Sequence, residues 1–213
     1  MSWRFQAARR WLKALELETV SGLNLFLIRL AAGFILALIT CSFFEWLLHR
    51  FVMHRKLAWF SYPFERHALV HHKVFKADLS YHLIRPEDAQ TVPMAWWNGP
   101  ALVAGAQVPF VILACFAGGI ALVCGTLLAT LLYYGAYEYL HWCMHVPARR
   151  NVERTSLFFR LNGHHLLHHR YPNRNFNVVL PLADLVLGTL LLRSKVRFAQ
   201  ARGPAVPDVQ PVQ

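Results

Sequence analysis

The amino-acid sequence predicts a helical integral membrane protein, and three observations carry that prediction. Of 213 residues, 56% are hydrophobic and 15% charged, whereas an ordinary soluble domain is roughly 45–50% apolar and about 25% charged. Residues 23–46 form an apolar run of 24 residues broken only by Arg29 and Glu45. Residues 97–140 form a second, 44 residues long, with Glu138 as its sole charge. So much apolar surface also excludes a disordered chain.

Each element follows in chain order. Residues 3–20 interleave Trp3, Phe5, Trp11, Leu12 and Leu15 with Arg4, Arg9, Arg10 and Lys13, the pattern of a helix lying in the membrane interface. Residues 1–22 are therefore expected to be an amphipathic N-terminal segment ahead of a membrane domain spanning 23–193. As a helix, 23–46 reaches about 36 Å, enough for a hydrocarbon core of roughly 30 Å, with Arg29 close enough to one end to snorkel. One helix cannot use all of 97–140, so it is expected to fold as two spans. The turn belongs at residues 116–119, which carry no charge and end in two glycines. A buried soluble hairpin is the competing reading, disfavoured by the length of the runs. Residues 178–192 are apolar but short and interrupted by Pro181 and Asp184, leaving the count at three to four spans. The tail, 194–213, with three prolines after Gly203, is expected to be disordered.

The net charge of +11 suits nucleic acid or an anionic membrane surface, and the hydrophobicity favours the membrane; a basic patch leaves the histidines described below without an account, so no nucleic-acid partner is expected. Residues 49–95 carry seven Lys and Arg and residues 141–213 carry ten, against none at 116–119. The positive-inside rule then places both polar segments on the cytoplasmic side. Trp96 and Trp97 at one crossing, and Tyr133, Tyr134, Tyr137, Tyr139 and Trp142 at another, suit aromatic belts there. A full crossing by 23–46 puts the basic N-terminal helix on the opposite face; a partial one keeps it on the same face. Cys41, Cys115, Cys124 and Cys143 form no CxxC pair and lie in or beside apolar runs, the usage of small apolar residues. Leu38-Ile39-Thr40-Cys41 faintly resembles a lipoprotein processing site, but the apolar run continues past it, and no cleaved signal is expected.

All twelve histidines lie at or beyond the cytoplasmic ends of the spans, with none in residues 1–48 or 83–140. They cluster as His49/His54, as His67/His71/His72, as His141/His145 and as His164/His165/His168/His169, with His82 apart. Residues four apart share a helix face, so His67/His71, His141/His145 and His165/His169 are each expected to converge on one ion. The adjacent pairs add a ligand at another angle, letting one cluster serve two metals. Imidazole suits iron, zinc, copper and nickel. A tetrahedral zinc takes four ligands, so ten imidazoles exceed two such sites and fit two five- or six-coordinate ions instead. Two irons can share the electrons needed to cleave O2 and attack an unactivated C–H bond; ligand type alone leaves copper and zinc open. Glu45 and Glu138 sit one turn before His49 and His141, and Asp184 follows the last cluster, where a carboxylate can receive a ring N–H and fix its tautomer.

These clusters resemble the fatty acid hydroxylase / sterol desaturase superfamily of membrane di-iron enzymes. The resemblance runs from about Ser42 to Thr189 through Glu45-Trp-Leu-Leu-His49-Arg50, His71-His72-Lys73 with Asp78 downstream, Tyr139-Leu140-His141 to His145, and His164-His165-Leu-Leu-His168-His169. It continues into Asn175-Phe176 and Leu180 to Asp184, ending at Gly188-Thr189. It implies an all-α fold, a membrane stalk under a cytoplasmic helical cap that holds a dimetal centre against the bilayer. It implies His49, His54, His67, His71, His72, His141, His145, His165, His168 and His169 as ligands of two iron ions. His164, Asp184, Glu45, Glu138 and His82 are then the surrounding residues, His82 as a pocket or bracing residue. Asn177 stands where a small glycine is usual and Ala183 where an aromatic is common, which bears on the pocket wall; three residues separate His67 from His71 where some hydroxylases have two.

The activity implied is O2-dependent hydroxylation of a membrane lipid, in which the iron pair activates O2, a hydrogen is abstracted and a hydroxyl returned. Fatty acyl chains come first as substrate, sterols second, carotenoids third; desaturation shares the early step and stays open. No histidine lies in the first 48 residues to ligate a haem, so a fused cytochrome is not expected. The external reductant is then a separate donor, a reductase, ferredoxin or cytochrome. The excess of Arg over Lys, 17 to 5, suggests a bacterial inner membrane. A haem-binding membrane cytochrome or a metal transporter would need histidines inside the spans, which 97–140 lacks. A catalytically silent scaffold has little use for ten ligand positions.

Overall fold

The computed structural model describes residues 3–192, and its regular structure is helical throughout, with no strand among the described residues. Helix α1 (Trp3–Leu48) is unbroken over 46 residues, about 69 Å at the α-helical rise. The backbone of residues 3–22 continues directly into the first span; the side chains of 3–18, and hence their amphipathic disposition, lie outside the described residues, as does the tail from 194. Short helices α2 (Tyr62–Phe64) and α3 (His72–Val74) belong to the cap, α4 (Asn98–Leu113) and α5 (Gly119–His145) to the stalk, and α6 (Ser156–Arg170) and α7 (Leu182–Val186) to the cap again.

Among the described residues, three helical stretches are long and apolar enough to cross a membrane, Ser21–Met53, Asn98–Phe116 and Gly119–His145. The 116–119 turn forms where expected, and Gly119 adopts φ +58° there, a left-handed conformation that a side chain would strain. Residues 178–192 do not make a fourth span: the chain is irregular to Pro181, α7 has five residues, and Asp184 is wholly buried in the cap.

Helices α1 and α5 run parallel. Leu30 and Phe34 lie against Gly125, Cys41 against Thr130, and Glu45 against Tyr133. Helix α4 runs antiparallel to α5, with Gln107 beside Thr126 and Thr130, Gly99 beside Tyr134, and Met94 beside Glu138. Residues 30–45 thus flank α5 from Leu122 to Tyr133, and the chain before them leaves the stalk at the end away from the histidines.

A face of α5 with four-residue spacing, Tyr133, Tyr137, His141 and His145, is buried from stalk to cap. Tyr133 and Tyr137 therefore belong to the interior, a correction to their expected place in an aromatic belt. Their positions one turn apart put them on the face that packs against α1. Trp96 (86% exposed) and Tyr139 (49% exposed) remain on the surface.

The closest helix contact is at Gly125, where a Cβ would collide with the Leu30 carbonyl oxygen and crowd the Phe34 amide. Gly125→Val is expected to push α1 and α5 apart and destabilise the protein by about 1–3 kcal/mol, as overpacking does. Gly135→Ala, at an open position, is expected to have little effect. Thermal unfolding of the two variants in the same detergent checks the difference.

Candidate metal centre

The histidine clusters are presented by helix ends. Helix α1 does not stop at Leu48 but widens into a π-helical turn, His49–Met53, closed by His54 N–H donating to the His49 carbonyl at 3.1 Å. A second π-helical stretch, Glu65–His71, links α2 to α3. In an α-helix residues five apart point about 140° from each other; the i→i+5 bonding of a π-turn stacks them on one face. That local geometry aligns His49 with His54 and His67 with His72. His141/His145 and His165/His169 keep the four-residue spacing on α5 and α6. Helix α6 is started by Thr155, whose hydroxyl oxygen accepts from Phe158 N–H at 3.2 Å.

The ten histidines gather into two sets of five. His49, His54, His67, His72 and His168 form the first, and His71, His141, His145, His165 and His169 the second; within each, one nitrogen per ring lies within 4.8 Å of all the others. The adjacent pairs split as expected, His71 from His72 and His168 from His169. The expected pairing of His67 with His71 does not occur, because the π-turn rotates His71 away and brings His72 to His67, Nε2 to Nε2, at 3.0 Å. His164 lies outside both sets, with Nε2 3.1 Å from the Asp184 carboxylate. His82 is exposed, its Nδ1 3.1 Å from the Met144 carbonyl, and does not line the cavity described below, contrary to the pocket role expected of it.

What orients the rings differs from the expectation too. Glu45 does not touch His49: its carboxylate accepts from Tyr133 Oη at 2.6 Å, Val178 N at 2.6 Å and Asn177 Nδ2 at 3.1 Å. Glu138 accepts from Tyr134 Oη and Met94 N, not from His141. One turn before its histidine, Glu45 is taken up by Tyr133 of α5 and the 177–178 loop, and Glu138 by Tyr134 of its own helix and the Met94 amide before α4. Backbone carbonyls do the bracing. Nδ1 of His49 and His168 in the first set donate to Phe176 O and Arg174 O. Nδ1 of His71, His145 and His169 in the second donate to Thr91 O, Tyr81 O and Phe75 O.

Asp184 acts on this arrangement at one remove. It accepts from Phe176 N, Asn177 N and Thr189 Oγ1 as well as from His164. It thereby holds the loop whose carbonyls orient His49 and His168. Burial pushes its carboxyl up, but the hydrogen bonds from His164, Thr189 and the loop amides outweigh it and hold Asp184 below the usual carboxylate range. Asn177 ties the same loop to α1 through Ser42 O and Glu45, contacts a glycine could not make.

The nitrogens left over fit metal ions. With Nδ1–H given to carbonyls, Nε2 of His49, His168, His71, His145 and His169 are bare lone pairs. Several are packed at 2.8–3.2 Å against other imidazole nitrogens, as in His49–His67, His168–His72, His145–His165 and His169–His165. His71 Nε2 and His141 Nε2 are buried with no hydrogen-bond partner. In each of these pairs one lone pair is fixed by its carbonyl, while the other ring can present either an N–H or a lone pair; where both nitrogens present lone pairs, as metal ligands must, the buried contact is repulsive unless a cation lies between them. For metal–nitrogen bonds of about 2.0–2.1 Å, neighbouring ligands of an octahedral ion are about 3.0 Å apart and of a tetrahedral one about 3.4 Å. The observed spacings match the former, and five nitrogens per set leave a coordination position over.

Burial, joined by repulsion from neighbouring rings, lowers His67, His71, His72, His165 and His169 well below the ordinary histidine range. Burial alone brings His54 to about 4; burial and then the His54 charge bring His168 to about 3. Above about pH 6.5 these rings are neutral folded or unfolded. Below it the unfolded chain takes up protons that the folded chain refuses until about pH 4 or 3, so stability falls with falling pH across that window. Chelator-stripped protein is expected to lose thermal stability between pH 7 and pH 5; a flat profile would contradict a buried neutral cluster.

A cavity of about 440 Å³ adjoins the centre where the stalk meets the cap, lined by His67, His71 and His141 together with Leu48, Met94, Leu102 and Tyr137. Arg66, Gln90 and Asn98 also face it. None of these non-histidine residues was singled out from the sequence for a pocket; Tyr137 alone carried a hint, being one turn before His141.

Two comparisons bear on the identity of this arrangement. Over 152 residues, 70% of this chain, the sequence is 30% identical to a dihydroceramide fatty acyl 2-hydroxylase of Arabidopsis thaliana. The match spans 56% of that relative, so this chain covers about half of its length. No solved structure matches. The family model for fatty acid hydroxylases matches residues 34–189, from the middle of α1 to the loop after α7, and takes in every histidine of both sets. With that match spanning most of the chain and its histidines gathered as two five-nitrogen sets, one partly and one wholly buried, the protein belongs to the fatty acid hydroxylase family.

Proposed function

We propose that the protein is an O2-dependent hydroxylase of membrane lipid acyl chains, working with two iron ions held by His49, His54, His67, His72 and His168 and by His71, His141, His145, His165 and His169. The observation that carries this reading is the union of two five-nitrogen sets with a cavity lined jointly by their histidines and by the membrane-spanning helices. Iron bound there would supply the oxidising power that no side chain possesses: O2, two electrons and two protons convert a C–H bond to C–OH with release of water. The chain's own part is to bind and place the lipid. Leu48, Met94, Leu102 and Tyr137 offer an apolar wall that excludes water. The histidines that also line the cavity bring the reacting carbon near the ions. Carbonyl bracing of five rings keeps their Nε2 atoms unprotonated and aimed inward. The fatty acyl group in the name of the plant relative favours an acyl chain over a sterol. The basic charge of residues 49–95 and 141–213 favours a cytoplasmic centre, reduced by a separate electron-donor protein.

The test is to load the full chain with iron in lipid nanodiscs, supply a chemical reductant and heavy-isotope dioxygen, and analyse the extracted lipids by mass spectrometry. Isotope in a new acyl hydroxyl is expected. Loss of two hydrogens without incorporation would identify a desaturase, and no O2-dependent change in any lipid would overturn the reading.

A further inference from the structure

We propose that the stalk measures the acyl chain: a slot between α1, α4 and α5 takes the chain's methyl end, and the buried Gln107–Thr126–Thr130 cluster, with Cys41 and Ala106 above it, is its floor. The proposal rests on the hydroxylase reading and adds a specificity determinant to it. The slot, about 80 Å³, is lined by Cys41, Phe44, Leu48, Val103, Ala106 and Tyr133 among others. It shares Leu48, Met53, Met94, Leu102 and Tyr137 with the larger cavity beside the histidines, so the two are neighbours divided by side chains alone.

Their polarity differs in a way that orients a lipid. The charged and amide groups Arg66, Gln90 and Asn98 face the larger cavity only. Of the polar groups bordering the slot, Glu45, His49, Thr130, Tyr133 and Tyr134 are already engaged, and Tyr137 is shared with the larger cavity. Glu45 is held by Tyr133, Asn177 and Val178. Thr130 Oγ1 accepts from Gln107 Nε2 at 2.8 Å and donates to Thr126 O at 2.8 Å. Hydrocarbon is what such a slot accepts, leaving the polar head in the larger cavity.

The floor is fixed by two features. Gln107 is satisfied at both ends, its Nε2 by Thr130 and its Oε1 by the Thr126 hydroxyl at 2.9 Å. Breaking that pairing would strand an amide in the apolar stalk, so α4 stays tied to α5. Ala37 and Phe110, 0% and 6% exposed, pack one turn further along α1 and α4, together with Ala129 beside the Thr126–Thr130 pair. From His49 to Cys41 along α1 is eight residues, about 12 Å. At roughly 1.2 Å per bond of an extended chain, a carbon held beside His49 has at most about ten carbons beyond it.

The experiment uses iron-loaded full-length protein in nanodiscs with saturated fatty acids graded from octanoate to eicosanoate, products being resolved by mass spectrometry. Ala106→Leu and Cys41→Leu raise the floor from two different helices. Each is expected to move the preferred length to shorter acids, lowering the ratio of long- to short-chain product about tenfold while iron content and thermal midpoint hold. Independently, fatty acids with a photoreactive diazirine at the methyl end are expected to label wild-type peptides containing Cys41 and Ala106–Gln107. An unchanged length profile in iron-replete variants, or terminal labelling confined to the cap or the outer stalk surface, overturns the floor. No O2-dependent product from the wild type with any acid overturns the hydroxylase reading, and the floor with it.

Discussion

On the function proposed above, replacing His165 with alanine is expected to empty the second histidine set of its metal and to lower lipid hydroxylation by more than about 100-fold, beyond the 10–100-fold typical of losing a residue that merely orients a ligand. His165 is wholly buried, and its Nε2 lies 3.1 Å from that of His145 and 3.0 Å from that of His169. Removing it opens a gap at the middle of the set, which the remaining four rings cannot close because His71, His145 and His169 are pinned by their Nδ1 hydrogen bonds to carbonyls. Metal analysis of the purified variant should fall from about two ions per chain toward one. His82→Ala is the control: that ring is exposed and outside both sets, so metal content should be unchanged. Full metal retention in His165→Ala would contradict the assignment of the second set.

The other large effect is expected at Asp184, which touches none of the ten histidines. Asp184→Ala removes a wholly buried carboxylate that receives four hydrogen bonds. The Phe176 and Asn177 amides are left unsatisfied inside the protein, and a destabilisation of about 3–5 kcal/mol is expected. The loop those amides belong to supplies Phe176 O to His49 and Arg174 O to His168. Loss of its anchor should therefore weaken metal binding in the first set more than in the second, whose bracing carbonyls come from Thr91, Tyr81 and Phe75. Thermal unfolding together with the order in which a chelator strips the two ions checks this. Asp184→Asn keeps an acceptor and should lose less of both. Equal weakening of the two sets would show that the loop does not discriminate between them.

How much of the centre could be read in advance depends on the kind of interaction. The grouping of histidines at helix ends was legible because metal-binding side chains have a residue-type signature and the apolar runs mark where helices end. His141/His145 and His165/His169 followed directly from α-helical spacing. His67 and His71 did not, because spacing converts to direction only when the helical pitch is known, and here the pitch is that of a π-turn. The intervals of five, His49 to His54 and His67 to His72, were the available sign of it. The bracing groups left no sign at all, since every residue carries a carbonyl; Glu45 and Glu138, each one turn before a histidine, bond other partners, Tyr133 with the 177–178 loop and Tyr134 with the Met94 amide. Tyr133 and Tyr137 were misplaced for a similar reason: an aromatic residue near a membrane boundary suits an interface and an interior equally until the packing partner is known.

Composition and periodicity along the chain were sufficient for a helical membrane protein with its histidines confined to one end, because hydrophobic length and residue chemistry are properties of local sequence. The division of ten rings into two sets of five, the loop that steadies one of them and the cavity reaching into the stalk were settled only by tertiary structure. Each depends on groups distant in sequence, such as Ser42 with Leu180 at 2.7 Å and His54 with His168 at 3.0 Å. Their meeting is decided by how whole helices pack, which no single segment encodes.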